Sequence, residues 1–470
     1  MKKPTNLSKL SFLIIFLLNL QVLQAQDSTT QFFNELLIPP VVTSPDYFLS
    51  VDSVLHNFNP SEPGDTLNTL IQAYAFNEVG NESNTILGPT IFWQFGSDIN
   101  ARVSNNLDQV TTVHWHGAHV PVAADGGPHQ RIPAGMIWDV PEFTVMDRSA
   151  TMWYHPHAMD LTYEHVQMGL SGLLIAEDPG NEDTILHRIH NLIPHLYGEN
   201  DFPLIFQTKR FDRTDSGGLE IRRGFPGYKD KYVYLVNGRK DPIAEMPQTQ
   251  VRVRVLNGDA KFAFNFGVGD RNFNSMGFQL IATDAGYTEQ SYALDSILMG
   301  PGERTEWLID LRDVPIGDTV FIYNKASSLP KSIIGGQETT DGFAKDKVLL
   351  AIVVTENTGP TYNLDFPIDL HPSEAPPLSA VSNTRLKVFR QDSFDGEFLY
   401  NIDSTLMDMM VVNDVVMMDS TEIWTIDNIT NRAHPFHIHD IHFWVTQVID
   451  AEGNMLNPDD YPTIFKGPKD

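Results

Sequence analysis

Residues 111–117 read TTVHWHG, a short run of β-branched, aromatic and alternating histidine residues that ends at a glycine. Comparable short runs recur along the chain, with turn residues between them about every ten positions. They include YVYLVNG (232–238), VRVRVLNG (251–258), KVLLAIVV (347–354) and TEIWTIDN (421–428). Long amphipathic helical periodicity is missing. The pattern therefore predicts an all-β fold built from sandwiches or barrels.

The chain has 470 residues, more than one hydrophobic core usually supports, so two or three domains are expected. Two stretches of polar and proline-rich composition are interpreted as linkers. The predicted division is a signal peptide at 1–25, a first domain at 26–178, a linker at 179–200, a second domain at 201–356, a linker at 357–380 and a third domain at 381–470. The first two suit one β-sandwich each, whereas the third is short for that fold.

Charge and cysteine content exclude several classes of function. The 60 acidic residues outnumber the 32 basic ones, giving a formal net charge of −28. Such a surface repels phosphate backbones, so nucleic-acid binding is disfavoured. The absence of cysteine excludes disulfides, thiolate metal sites and a lipoprotein anchor on this chain.

The N-terminus has the pattern of a secretory signal peptide. Lys2 and Lys3 precede the apolar run LSFLIIFLLNL (10–20), and Ala25 is the expected last residue before cleavage. The apolar run is too short to span a bilayer comfortably. The mature protein is therefore expected to be secreted or periplasmic, without stable membrane insertion.

Three His-x-His pairs are the strongest functional signal. Sixteen histidines scattered at random would produce about half of one such pair by simple counting. Residues i and i+2 of a strand face the same side, so each pair presents two imidazoles in one direction. The pairs are His114/His116, His155/His157 and His437/His439.

Six imidazoles exceed what one four-coordinate ion can use, so the pairs predict a cluster of several ions between the first and third domains. Imidazole without carboxylate or thiolate suits Cu, Zn, Ni or Fe. His434 lies three residues before His437, so on a continuous strand it points to the opposite face. It is interpreted either as a ligand of a separate metal site or as a strand-entry residue bonded to backbone.

These motifs, in this order, resemble the multicopper oxidase family, which includes laccases, bilirubin oxidases and bacterial cuprous oxidases. The resemblance covers nearly the whole mature chain. It rests on GPTIFWQFG, TTVHWHG, DGGPHQ, MWYHPH and MGLSGLLIAEDP, then LVNGRKDP, VRVRVLNG and MGPGERTEWLIDL, and finally VVNDVV, TEIWTIDN and HPFHIH. It implies three consecutive cupredoxin-like Greek-key β-sandwich domains, with copper ligands in the first and third.

The resemblance also implies a role for each histidine. His114 and His437 would hold the type 2 copper, and His434 would be one ligand of the type 1 copper. Four of the six ligands of the type 3 copper pair would be His116, His155, His157 and His439. Asp125, in DGGP, resembles a family acid that helps deliver protons to reduced oxygen; its alternative interpretation is a turn-forming residue.

One departure from the family pattern is plain. The family closes with HCHxxxH, which supplies the type 1 cysteine and the remaining ligands, and this sequence contains no such motif. Because every upstream ligand is present and the third domain is short, the chain is expected to be a C-terminally incomplete oxidase, and inactive as it stands.

The function implied for the complete protein is one-electron oxidation of a reducing substrate coupled to reduction of dioxygen to water, with four copper ions. The donor is expected to be a phenol-type organic molecule or Cu(I). The alternatives are a cuprous oxidase specialised for copper tolerance and a non-catalytic cupredoxin-fold envelope protein.

Several remaining residues have less specific interpretations. His119 and His129 break the i, i+2 spacing, and His442 matches no family ligand, so all three are interpreted as structural. The methionine-rich run LMDMMVVNDVVMM (406–418) could offer thioethers to Cu(I), but such a run is more typical of a strand core.

Overall fold

The computed structural model describes residues 32–470, apart from 84, 179, 181–184, 225–231, 332, 334–344, 371–373 and 395. The predicted signal peptide, residues 1–25, lies outside the described residues. Strands dominate and helices are short, so the prediction of an all-β fold is confirmed. Within the described residues, no helix is both long enough and apolar enough to cross a membrane.

Residues 32–177, the N-terminal part, form two sheets around one apolar core. Its elements are β1 (Asn34–Glu35), β2 (Val41–Val42), β3 (Asp46–His56), β4 (Ile71–Glu78), β5 (Thr90–Gln94), β6 (Asp98–Asn105), β7 (His114–His116), β8 (Ile137–Asp139), β9 (Phe143–Thr144), β10 (Ala150–His155), α1 (Thr162–Met168) and β11 (Gly172–Glu177). The sheets have the orders β2-β5-β11-β10-β7 and β4-β3-β6-β8, with β9 beside β6. Trp93 and Trp115 pack 5.5 Å apart in the shared core, directly beneath the histidines of β7.

Residues 201–355, the middle part, form a second pair of sheets. A helix, α2 (Ile185–Leu192), precedes them. The strands are β12 (Asp201–Lys209), β13 (Phe211–Arg213), β14 (Leu219–Ile221), β15 (Val233–Val236), β16 (Arg239–Lys240), β17 (Pro242–Pro247), β18 (Gln250–Asn257), β19 (Phe264–Gly269), β20 (Phe278–Thr283), β21 (Gly286–Leu294), β22 (Ile297–Met299), β23 (Arg304–Asp310), β24 (Thr319–Asn324) and β25 (Lys347–Thr355). The orders are β16-β15-β12-β18-β23-β20-β21 and β1-β17-β25-β24-β19-β22, and β13 pairs with β14. The parallel pairing of β1 with β17 ties the N-terminal part to the middle part.

Buried charges hold strand β10, which carries His155, against the middle part. The hydroxyl of Thr151 donates to Glu306 at 2.5 Å and accepts from Arg254 at 2.9 Å. Arg254 also pairs with Asp201 at 2.7 Å, and Arg252 pairs with Glu306. All four charged side chains are at most 4% exposed. Because each charge has an opposite partner, the strand bearing the site is fixed without leaving an unpaired buried ion.

Both predicted linkers are packed against the middle part. Ile189 of α2 and the nearby Ile193 are buried in an apolar cluster, and the second predicted linker contributes Leu364, Ile368 and Leu370 to the same cluster. Their partners include residues of β20 and β23. Apolar side chains from the described residues of both segments therefore pack on the middle part.

Residues 381–470, the C-terminal part, form a three-stranded sheet that is only partly buried. A 3-10 turn at Leu378–Ala380 leads into β26 (Val381–Phe394), β27 (Glu397–Ile402) and β28 (Thr421–Asn428), and α3 (Pro462–Phe465) follows. The order is β27-β26-β28. The side chains of Leu386 and Phe398 are 59% and 70% exposed, so this sheet offers an apolar surface that the described residues leave uncovered.

Candidate metal centre

Six imidazoles from the three His-x-His pairs converge where the N-terminal and C-terminal parts meet. The ring centroid of His114 lies between 4.0 and 5.8 Å from the centroids of the other five rings. Those rings belong to His116, His155, His157, His437 and His439. The structure therefore brings together all six residues that the spacing singled out.

Strand pairing positions His114, His116 and His155, and His157 follows two residues after β10 ends. His114 and His116 lie on β7, which runs antiparallel to β10 with His114 opposite His155. The strand expected for HPFHIH is not formed: residues 434–439 lie outside any strand, and the preceding strand β28 ends at Asn428. The backbone there still presents His437 and His439 together, with ring centroids 4.9 Å apart.

Orphaned nitrogens show that the pocket suits a metal ion. Nδ1 of His114 donates to the carbonyl oxygen of Asp125 at 2.9 Å, so Nε2 carries a lone pair, and that atom is buried with no hydrogen-bond partner. Both ring nitrogens of His437 are likewise buried without a hydrogen bond. Buried polar atoms normally have hydrogen-bond partners. Coordination of a metal ion would explain why these ring nitrogens have none.

The other imidazoles form close contacts of the same kind. Nδ1 of His116 lies 3.1 Å from Nε2 of His155, and the rings of His116 and His437 stack with centroids 3.7 Å apart. Ligand nitrogens within 4.8 Å of one another occur in two groups around His114, one with His116 and His155 and one with His437 and His439. Two such groups can hold more than one ion, as six imidazoles require.

Burial keeps these rings in the form that binds metals. It lowers the pKa of His114, His116 and His155, and it lowers the pKa of His157 to about 4. Neighbouring imidazoles add to the effect, since one protonated ring repels the next. The rings are therefore neutral near pH 7, and neutral imidazole is the ligand form.

Asp125 lies against the cluster because of a tight turn. Gly126 has φ of 73°, and a Cβ built on it would lie 1.6 Å from the carbonyl oxygen of Val113, so the chain can pass this close only at a glycine. The Asp125 carboxylate accepts from Nδ1 of His439 at 2.9 Å, and its other oxygen lies 3.3 Å from Nδ1 of His114. Burial opposes ionisation of this carboxyl, but the two histidines outweigh burial and lower its pKa.

His434 stands apart from the six. Its Nε2 bonds the hydroxyl of Thr430 at 2.8 Å, and its ring packs against Phe389 at 5.3 Å and Tyr400 at 4.8 Å. Among the described residues it belongs to neither of the groups around His114. The structure thus separates this residue from the cluster, as the odd offset in the sequence suggested.

Asp470 is a site residue that sequence reasoning missed. One carboxylate oxygen lies 3.3 Å from Nε2 of His116 and 3.6 Å from Nδ1 of His437, and the carboxylate pairs with Arg304 of β23. Burial would raise the pKa of Asp470, but the Arg304 charge and the two imidazoles lower it well below its usual range. No local spacing connects residues 116, 304 and 470, although Arg304 lies within the quoted MGPGERTEWLIDL.

The methionine-rich run does not form the strand core that its composition suggested. Residues 406–418 contain no strand, and the side chains of Met410, Met417 and Met418 are among the most exposed apolar groups. The segment contacts the N-terminal part through Nε2 of His129, which donates to the carbonyl oxygen of Met409 at 2.9 Å. The core interpretation is therefore wrong, because no sheet partner covers this run among the described residues.

Two family models, both described as multicopper oxidase, match residues 72–181 and 376–464. The matched ranges contain all seven predicted histidine ligands and Asp125. Among characterised relatives, multicopper oxidase mco of Staphylococcus aureus is 28% identical over 83% of this chain and 75% of its own length. Cell division protein FtsP of Photorhabdus laumondii is also 28% identical, over 80% of this chain and 73% of its own length.

Solved structures are similar in fold. The McoA multicopper oxidase of Aquifex aeolicus has a TM-score of 0.74 at 24% identity, covering 94% of this chain and 90% of that one. A laccase-like multicopper oxidase, CueO from Ochrobactrum sp., has a TM-score of 0.72 at 24% identity, covering 93% and 90%. These similarities confirm the predicted cupredoxin-like architecture.

Proposed function

Because the chain belongs to the multicopper oxidase family, we propose that it forms the oxygen-reducing part of a copper-dependent oxidoreductase. Four one-electron oxidations of a reducing substrate would supply four electrons. Together with four protons, these electrons reduce one dioxygen molecule to two water molecules. The substrate class proposed is a phenol-type organic donor or Cu(I).

The observation that carries this proposal is the set of orphaned nitrogens on His114 and His437 at the centre of six converging imidazoles. A purely structural histidine cluster would satisfy these atoms with protein hydrogen bonds. We assign His114 and His437 to type 2 copper and His434 to type 1 copper. The ligands proposed for the type 3 pair are His116, His155, His157 and His439.

Bound copper would supply the electron-transfer chemistry. The protein's own residues hold the geometry: β7 and β10 fix His114, His116 and His155, and burial keeps these rings neutral. Asp125 orients His114 and His439 through their Nδ1 atoms, which leaves Nε2 of each ring available as a ligand atom. We propose that its carboxylate also passes protons to reduced oxygen, and that Asp470 orients His116.

The proposed domain division follows the sequence: cupredoxin-like domains at 26–178, 201–356 and 381–470, with copper ligands in the first and third. We also propose that the protein is exported through the segment 1–25. The buried pairing of Arg304, in the middle part, with Asp470 supports a placement of the middle part beside the cluster.

The absence of cysteine limits what these 470 residues do alone. A blue type 1 copper requires a thiolate ligand, and His434 is the single type 1 ligand that the resemblance identifies here. We expect the copper-loaded chain to lack intense blue absorption, as a visible spectrum would show, and to turn over a phenolic donor poorly. A blue spectrum from this chain would contradict the assignment.

Two alternatives have specific support. Exposed Met410, Met417 and Met418 offer soft thioethers to Cu(I), which favours a cuprous oxidase within the same reaction class. The similarity to FtsP raises a non-catalytic envelope protein as a second candidate. Orphaned imidazole nitrogens favour the oxidase, since a scaffold without metal leaves them unsatisfied at a cost.

Copper binding followed by reaction with dioxygen tests the proposal. The chain and its H114Q/H437Q variant are loaded with copper, freed of unbound metal and analysed for copper per chain. The loaded proteins are then reduced without air, freed of reductant and mixed with dioxygen. We expect the chain to bind several copper ions and, once reduced, to consume dioxygen in a single round without sustained turnover. The variant should lose the copper of the six-imidazole cluster and this oxygen consumption. Full copper binding without dioxygen consumption would favour the non-catalytic alternative.

A further inference from the structure

A second cluster of ligand-type side chains lies beside the six imidazoles but shares none of them. Ligand atoms of His119, Asp147 and His442 all lie within 4.8 Å of one another. His119 follows β7, Asp147 precedes β10 and His442 follows HPFHIH, so the cluster joins the N-terminal and C-terminal parts. The rings of His119 and His442 are 4.1 Å apart at an angle of 68°.

Asp147 is a buried carboxylate, and among the described residues its hydrogen bonds come from His119. Its side chain is 1% exposed, and it accepts from Nδ1 of His119 at 2.7 Å and from the backbone N–H of His119 at 3.1 Å. Among the described residues, no lysine or arginine forms an ion pair with it. A buried negative charge needs a positive partner, and here only imidazoles are available.

The hydrogen bonds fix which nitrogen of each ring is free. Asp147 accepts the Nδ1–H of His119, so the neutral ring of His119 keeps its lone pair on Nε2. Nε2 of His442 donates to the carbonyl oxygen of Gly117 at 3.2 Å, so the neutral ring of His442 keeps its lone pair on Nδ1. A histidine held on one nitrogen by a carboxylate or a carbonyl is the usual arrangement of a metal ligand.

The electrostatics favour a cation at this position. Burial lowers the pKa of His119, but the hydrogen bond and charge of Asp147 and the charge of Asp440 outweigh it, so the net shift is upward. Burial lowers the pKa of His442, which leaves that ring neutral and able to act as a ligand. Asp147 thus stabilises positive charge on the His119 side of the cluster, and a metal ion bound at Nε2 would take the place of the proton that His119 otherwise gains there.

From this geometry we propose an auxiliary metal site in which Nε2 of His119 and Nδ1 of His442 bind one divalent transition-metal ion of the Zn²⁺ or Cu²⁺ class. Asp147 is a positioning residue that orients His119 through Nδ1 and supplies negative charge beside the ion. Imidazole ligands suit these borderline ions and disfavour Mg²⁺ and Ca²⁺. The ion would clamp the segment after HPFHIH onto the loops around β7 and β10, and so hold His437 and His439 in place.

Zinc binding tests the proposal, because Zn²⁺ has no redox chemistry of its own. The full chain, H119Q/H442Q, H114Q/H437Q and the control H129Q are saturated with Zn²⁺, passed through a desalting column and analysed for zinc per chain. His129 is a matched control, since it also links the N-terminal and C-terminal parts but belongs to no ligand cluster. We expect H119Q/H442Q to lose one zinc equivalent, H129Q to lose none, and H114Q/H437Q to keep the equivalent that H119Q/H442Q loses.

Two further variants guard against misfolding. The D147N variant keeps the shape of the side chain but removes its negative charge. We expect it to weaken zinc binding at this site about 10- to 100-fold. If H119Q/H442Q does not fold, the single H442Q variant must lose the same equivalent. Zinc content equal to that of the unmodified chain in a folded His442 variant overturns the proposal. This outcome is separate from failure of the oxidase proposal, which depends on His114 and His437.

Discussion

The carboxylate of Asp125 accepts a hydrogen bond from Nδ1 of His439 at 2.9 Å, across 314 positions of sequence. A second oxygen of the same group lies 3.3 Å from Nδ1 of His114. The Asp125 carboxylate therefore orients one imidazole from the N-terminal part and one from the C-terminal part. The cluster therefore depends on the docking of the C-terminal part against the N-terminal part, as well as on the six histidines themselves.

Asp125→Asn removes the charge while keeping the shape of this group. We expect copper affinity or the rate of reaction with dioxygen to fall about 10- to 100-fold, because the amide offers one acceptor oxygen where the carboxylate offers two. Copper titration and stopped-flow oxygen uptake measure the two effects. Asp108→Asn, at an exposed position in the same part, serves as the control. If the two variants had equal copper affinity and equal rates of oxygen uptake, Asp125 would have no role in the site.

His116→Gln and His434→Gln separate the cluster from the distant histidine. His116 contacts His155 and His437, whereas His434 contacts Thr430, Phe389 and Tyr400. We expect the first change to reduce copper bound by the chain and the second to leave cluster copper unchanged. Copper analysis with electron paramagnetic resonance of the loaded proteins distinguishes them. Loss of cluster copper in His434→Gln would contradict the separation.

Glu306→Ala leaves the buried Arg252 and Arg254 without their shared carboxylate. Breaking one partner of a buried ion pair costs about 3–5 kcal/mol, so we expect a large drop in unfolding free energy. Chemical denaturation followed by fluorescence measures it. Glu245→Ala, at an exposed position of β17, should change stability by less than about 0.5 kcal/mol. Comparable effects of the two changes would show that the buried network contributes little.

Acid should destabilise the chain through His56. The neutral ring donates from Nε2 to the carbonyl oxygen of Gly238 at 2.9 Å and accepts at Nδ1 from the N–H of Ile86 at 3.4 Å. Burial lowers its pKa to about 4. Between about pH 7 and pH 5 the unfolded chain therefore takes up a proton that the folded chain does not, and stability falls by about 2 kcal/mol.

His56→Gln removes this titration while keeping a donor and an acceptor. We expect the variant to lose less stability than the unmodified chain as pH falls from about 7 to 5, with the difference near about 2 kcal/mol. Urea denaturation at both pH values measures the effect. His129→Gln, at an exposed position, should follow the unmodified chain. Parallel pH dependence in all three proteins would exclude His56 as the acid-sensitive group.

The sequence by itself determined the all-β fold and the six clustered histidines. The all-β fold follows from local periodicity, and so does the placement of His114 and His116 together on β7. His437 and His439 lie together although no strand forms there. The odd offset of His434 likewise separated it from the cluster, and the structure places it apart.

Only the tertiary structure decided which residues join the six imidazoles and which form the second cluster beside them. Asp470, Asp147 and His442 approach their partners across long sequence separations, and no spacing rule connects residues that loops bring together. The same reason explains the incorrect core interpretation of the methionine run and the packing of the predicted linkers. The predicted linkers pack because Ile189 and Leu370 find an apolar surface on the middle part, and the methionine run is exposed because no sheet among the described residues covers it. Burial is a property of the neighbours that a segment meets, and composition alone does not specify those neighbours.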